Sequence, residues 1–168
     1  MENLMTFRKA KDDFFANDPQ SPLSADQKHS FHSLSYFPES SDFRFEVQIE
    51  RTSNQNEVHI PTSTGEIEVY KRYGTFHFQL EGQEAKLTIF AAPSGYFLPF
   101  IDGLAGSETY PAGRYLEPQH LGKNRFLIDF NLAYNPYCAY NDFWSCPLTP
   151  PENRLSVPIG AGEKIFPH

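Results

Sequence analysis

Only two cysteines occur in the chain, Cys138 and Cys146. That is too few for a disulfide framework, and in a reducing compartment both are expected as thiols. Their spacing matches neither a CxxC redox pair nor a four-ligand zinc site. No basic run offsets the net charge of −7, which disfavours a duplex-binding protein, because cationic side chains supply most non-specific nucleic-acid affinity. The longest apolar runs, LTIFAA and YFLPFI, stop far short of the roughly 20 residues that span a bilayer. The opening MENLMTFRKAKDDFFANDP has no apolar signal region and is too acidic for a transit peptide. The expectation is a cytoplasmic protein with neither membrane nor nucleic-acid partners. Repeats and low-complexity tracts are also lacking.

What is abundant is aromatic: 16 Phe, 9 Tyr and 1 Trp, or 15% of 168 residues. This composition argues against disorder and for a core built from rings. At this length one domain buries about 68 to 70% of its unfolded surface.

Leu4, Phe7, Lys11, Phe14 and Phe15 recur at helical spacing, predicting an amphipathic helix over 3–16 that stops at Asn17, Asp18 and Pro19. Ser24 and Gln27 form a capping-box pattern that opens a second helix reaching about Leu34. From Asp42 the period becomes two, with Phe43, Phe45, Val47 and Ile49 on one face. The alternation returns through Ile67, Val69 and Tyr73, through Phe76, Phe78 and Leu80, and through Leu87, Ile89 and Ala91. Thr64-Gly65, Tyr73-Gly74 and Glu81-Gly82 punctuate these runs as hairpin turns. The expectation is a mainly β single domain over 1–168. A helical segment, 1–35, packs on the β core, 42–92 forms an antiparallel meander, and a proline-rich 93–168 completes the fold. Such a meander closes as an antiparallel barrel or packs as a two-layer curved sheet, here with an N-terminal pair of helices.

The segment DFNLAYNPYCAYNDFWSCPLTPPENRL, 129–155, is too rich in rings, amides and prolines for a plain connection. It is read as a polar wall beside a pocket. In RFLIDFN, Phe126, Ile128 and Phe130 share one face and Leu127, Asp129 and Asn131 the other. An unpaired buried carboxylate costs several kcal/mol, so Asp129 needs solvent or a partner. Arg114 is the expected partner. The bland alternative is an ion pair that fixes strand register. The stretch PFIDGLAGSETYPAGRYL gathers Asp102, Glu108, Thr109, Tyr110 and Arg114 among three glycines, without phosphate-loop spacing. Candidate ligand-binding residues are therefore Arg114, Asp129, Asn131, Tyr134, Asn135, Cys138, Tyr140, Glu152 and Asn153. The asparagines equally suit the satisfaction of orphan backbone groups. Candidate general bases are Asp102, Glu108 and Asp129. Cys138 would need a nearby base to act as a nucleophile, and a small buried thiol is the commoner role. His29 and His32 stand three apart, but Phe31 and Leu34 already explain that helix as core packing, so no metal or cofactor is expected.

The motifs DFNxAYNPxCAY, CPLxPPENRLxVxIxAGEK and PFxDxxxGxETYxxGRYL, with YFP at Tyr36 to Pro38, resemble the signatures of an uncharacterised prokaryotic family, domain of unknown function 1684. The resemblance covers nearly the whole chain and implies a mainly β single domain, with no established reaction, substrate or cofactor. Its pattern matches at Asp102, Glu108, Tyr110, Arg114 and Tyr115, and again at Asp129, Asn131, Tyr134, Asn135, Cys138, Tyr140, Cys146, Glu152, Asn153 and Glu163. Leu104 stands where a threonine is common, and Tyr137 where a second proline is usual.

Three functions compete. The first is a small-molecule-binding, β-barrel-like protein whose aromatic pocket ends in polar groups. The second is a hydrolase using a carboxylate base, with Arg114 stabilising developing negative charge. The third is an interaction module built on YNPYCAYNDFW. The oligomeric state is left open.

Overall fold

The structure, a computed structural model, describes residues 3–53 and 56–167. Residues 1, 2, 54, 55 and 168, which the expected segments include, lie outside the described residues.

Helix α1 (Leu4–Asn17) starts where the Asn3 side chain accepts the Thr6 N–H at 2.8 Å. It ends at Asp18, whose N–H still donates to the Phe14 carbonyl, with Pro19 blocking another turn. Helix α2 (Ala25–Ser30) carries the expected capping box between Ser24 and Gln27. It stops four residues short of Leu34. The extended chain after it lets the Leu34 N–H reach Asp12 Oδ1 at 2.9 Å and buries Leu34 beside Phe15. Tertiary packing here outweighs local helical preference. His29 and His32 are thereby parted, one in the helix and one beyond it. Phe15, Leu23 and Leu34 form their own cluster with Tyr140, and the Phe15 and Tyr140 rings meet edge to face at 5.0 Å. The helices thus pack against the segment after Asn135.

Nine strands follow among the described residues: β1 (Arg44–Gln48), β2 (Glu50–Arg51), β3 (Glu57–Pro61), β4 (Ile67–Leu80), β5 (Gln83–Ala92), β6 (Gly95–Phe100), β7 (Arg114–Leu116), β8 (Gln119–Gly122) and β9 (Arg125–Asp129). They form two antiparallel sheets, one ordered β1-β9-β8 and the other β2-β4-β5-β6-β7 with β3 also on β4. The protein is mainly β with two helices near the N-terminus, and the described residues form no closed barrel; the curved-sheet form is the one adopted. Phe126 and Ile128 from the smaller sheet, with Phe130 just beyond the end of β9, pack on Phe78, Leu87, Ile89 and Phe100 of the larger. The rings of Phe78 and Phe100 lie 5.6 and 5.2 Å from Phe130.

Two expectations about the meander are corrected. β1 does not pair with its successor but crosses to β9, with Arg44 opposite Asp129. Tyr73-Gly74 is not a hairpin turn but a bulge inside the continuous β4. A Cβ at Gly74 would lie 2.5 Å from the Glu50 carbonyl oxygen, so glycine lets β2 approach closely. A bulge adds one unpaired residue and shifts which side chains face the core. Phe76, Phe78 and Leu80 are buried, whereas Ile67 and Val69, which the register across the bulge keeps on the same face, are 61% and 46% exposed.

Candidate functional site

Strand β7 decides where the site lies. Successive strand residues point to opposite faces, so Arg114 and Leu116 turn toward the core while Tyr115 and then Glu117 turn to the outer face. Gly113 makes the entry turn with φ +104°, and a Cβ there would come within 2.7 Å of the Phe100 carbonyl. Arg114 is 1% exposed. Its guanidinium donates to the carbonyls of Ile159 at 2.9 Å, Glu163 at 3.0 Å and Ala161. It also pairs with Asp102 at 3.6 Å. Burial pulls Arg114 down to about 10, against the opposing pull of Asp102 and Glu163, so it stays cationic at neutral pH. Asp102 is equally occupied, accepting from Thr109 Oγ1 and the Ile159 N–H at 2.8 Å each and from the Leu104 N–H at 3.2 Å. This pair braces the C-terminal coil.

Glu163, which stood in the family pattern but not among the expected site residues, gathers two that did. Its carboxylate accepts from Tyr140 Oη at 2.9 Å and the Asn135 N–H at 3.1 Å, and pairs with Lys11 of α1. Burial, then Glu163, pushes the Tyr140 phenol far above its ordinary value.

The remaining expected residues lie elsewhere. Asp129 pairs not with Arg114 but with Arg44 at 3.1 Å, because the β1–β9 register sets the two opposite each other. Asn131 holds both the N–H and the carbonyl of Ser40, at 3.0 and 2.9 Å. Glu152 takes Arg72 at 2.6 Å and Thr88 Oγ1 at 2.8 Å. Asn153, wholly buried, accepts the Thr88 N–H at 2.8 Å and donates to the carbonyls of Thr88 and Pro99 at 2.9 and 2.7 Å. The coil thus covers the outer face of β5 and β6. Glu108 is exposed on a turn, and Cys138 is half-buried beside Cys146. The expected single hollow containing all of these groups is not formed.

Where the coil leaves the outer face open, a cleft of about 630 Å³ remains. A row of rings lines it: Tyr70 stacks on Phe97 at 5.3 Å, Phe97 meets Tyr115 at 4.8 Å, and Tyr115 meets Tyr134 at 5.9 Å. Tyr134 is the expected site residue found in this lining. A carboxylate stands at each end of the row. Glu117 accepts from Tyr134 Oη at 2.8 Å, and Glu68 from Tyr70 Oη at 3.5 Å. Among the described residues that line it there is no Lys, Arg or His. Lys11 lies 4.9 Å from the Tyr134 ring, but its ammonium is paired with Glu163. Burial, then Glu68, raises the Tyr70 phenol to about 12, and burial raises Tyr115 and Tyr134 further, so the phenols stay neutral at physiological pH. Among the described residues no three His, Cys, Asp or Glu side chains converge to hold a metal ion, and no helix is long and apolar enough to cross a membrane.

Glu68, Tyr70, Phe97 and Glu117 were not among the expected residues, and Tyr115 stood only in the family pattern. One signal was available: period-two alternation in GRYLE and EIEVY separates Tyr115 and Glu117 from Arg114, and Glu68 and Tyr70 from Val69.

No curated protein matches the chain. The solution NMR structure of an uncharacterised protein from Haloarcula marismortui is similar, with 37% sequence identity, a TM-score of 0.73 and coverage of 96% of this chain and 91% of that one. Residues 29–164 match the model of the family described as protein of unknown function DUF1684, and the chain belongs to that family.

Proposed function

We propose that the protein binds a small organic cation, an amine or quaternary ammonium compound, in the aromatic cleft. The observation that carries this reading is the continuous row Tyr70, Phe97, Tyr115 and Tyr134 with Glu68 and Glu117 at its ends and no basic residue among the described residues of the lining. Ring faces carry negative quadrupole potential, and a desolvated cation gains about 0.5–2 kcal/mol from such contacts. A unit charge about 4 Å from a carboxylate near a protein surface gains up to about 4 kcal/mol before desolvation is subtracted. An anion meets the reverse of both effects. Arg114, the residue a hydrolytic reading would need at the substrate, is 1% exposed and has both terminal guanidinium nitrogens committed to coil carbonyls.

Titration of isotope-labelled protein with tetramethylammonium tests the site. Amide shifts are expected to concentrate at Glu68, Tyr70, Phe97, Tyr115, Glu117 and Tyr134. Saturable shifts confined to another surface, or none, would reject this reading.

A further inference from the structure

We infer that Cys138 and Cys146 form a thiol–disulfide exchange site that takes low-molecular-weight disulfides, with Cys138 as the attacking sulfur and Cys146 as the resolving one. Both are free cysteines, brought together by the turn of 3-10 helix at Tyr137–Ala139 and by the return of the chain to residues 62 and 63. The Cys138 backbone N–H donates to Cys146 Sγ at 3.2 Å, which seats the inner sulfur against the outer residue. Ser63 holds that return from two sides: its N–H donates to the Cys146 carbonyl at 2.9 Å, and its hydroxyl accepts the Cys146 N–H at 3.1 Å.

The two sulfurs are not equivalent. Cys146 is 7% exposed, so an external reagent meets Cys138 first. Tyr110 Oη stands 3.7 Å from Cys138 Sγ, within sulfur hydrogen-bond range. An inert core thiol has apolar surroundings that disfavour the thiolate. Cys138 instead has Cys146 and the Tyr110 hydroxyl beside it, and polar contacts of this kind outweigh burial to bring it down to about 6, while the same contact with Cys138 and burial drive Cys146 up. Of the two, the outer sulfur is the more readily ionised and the inner one the more firmly protonated. An attacking thiol with its pKa near ambient pH is the most effective.

The step balances without further reagents. The Cys138 thiolate attacks one sulfur of R–S–S–R; that S–S bond breaks, RS⁻ leaves, and Cys138–S–S–R forms. Cys146 then passes its proton to a released thiolate and attacks the Cys138 sulfur, expelling the second RS⁻. The two protein thiols lose two electrons and the small disulfide is reduced to two thiols. The new bond ties the ends of a loop whose tip carries Phe143, 68% exposed.

The test uses the full reduced chain and 2-hydroxyethyl disulfide, a neutral probe, followed by intact mass and peptide mapping. Wild type should lose the mass of two hydrogens and yield a peptide joining positions 138 and 146. Cys146→Ser should stop at the mixed disulfide on Cys138, and Cys138→Ser should react at least about ten times more slowly. A wild-type product that stays a mixed disulfide, stays unmodified, or forms as fast in Cys138→Ser would overturn the assignment. Iodoacetamide labelling of wild-type Cys138 against pH supplies a check independent of the variants. An inflection near 6 is expected, and one near the ordinary thiol value of about 8.5 contradicts it.

Discussion

Arg114 and Tyr115 are adjacent in sequence and face opposite sides of one sheet: the first braces three carbonyls of the C-terminal coil, and the second walls the cleft. Replacing Arg114 with Met leaves Asp102 charged, buried and without its cationic partner. The expected loss is about 3–5 kcal/mol of unfolding free energy in urea denaturation. Tyr115→Phe removes only the hydroxyl bonded to the Pro147 carbonyl and should cost about 1 kcal/mol.

Gly113 sets the parity of that strand. Gly113→Ala must adopt φ +104° with its Cβ 2.6 Å from Thr149 Oγ1 and 2.7 Å from the Phe100 carbonyl. Backbone strain of this kind costs about 1–3 kcal/mol before the clash is added. A lower thermal midpoint with an unchanged far-ultraviolet dichroism spectrum at 20 °C, roughly room temperature, is the expected signature.

Asn153 acts as a borrowed piece of strand, closing hydrogen bonds to Thr88 and Pro99. Asn153→Ala strands these buried groups at a cost of about 1–3 kcal/mol each where water cannot replace the amide. Amide hydrogen exchange at Thr88 should accelerate, while exchange in the β1–β9 pair, on the other sheet, should change only with global stability.

Glu152 gives a pH dependence with a defined sign. Partial burial raises its carboxyl, but hydrogen bonds from Arg72 and Thr88 outweigh that and leave the pKa below the ordinary 4.5. A depressed folded-state value contributes stability that is fully present above the unfolded value and is lost as pH falls through the folded one. The Arg72–Glu152 pair is partly open to solvent, with side chains 41% and 32% exposed, so the contribution is about 1 kcal/mol or less. Wild type should exceed Glu152→Gln by a constant margin near neutrality. That margin should shrink as pH falls below about 4.5 in denaturation series.

Local signals in the sequence were good guides to local structure. The Ser24–Gln27 capping box, the helix through Phe15 and the alternating faces of 43–49 and 126–130 all depend on neighbours a few residues away. What escaped depends on partners distant in sequence. The Arg44–Asp129 pair follows from a register between strands 85 residues apart. The fate of Arg114 follows from a coil that returns 45 to 49 residues later to offer its carbonyls. Tyr70 belongs to the cleft because a bulge after Arg72 sets the even-numbered residues before it on the face opposite Phe76 and Phe78. The cleft itself combines residues from β4, β6, β7 and the Tyr134 segment, and no single stretch announces it.

The most direct test of the cation-binding account is a paired calorimetric titration with choline and with 3,3-dimethylbutan-1-ol, which keeps the shape and removes the charge. Choline should bind at least about ten times more tightly, a gap of about 1.4 kcal/mol. Glu117→Gln, which keeps a group able to accept from Tyr134 but removes one carboxylate charge, should narrow that gap. Equal affinities for the two compounds, unchanged by Glu117→Gln, would contradict the account.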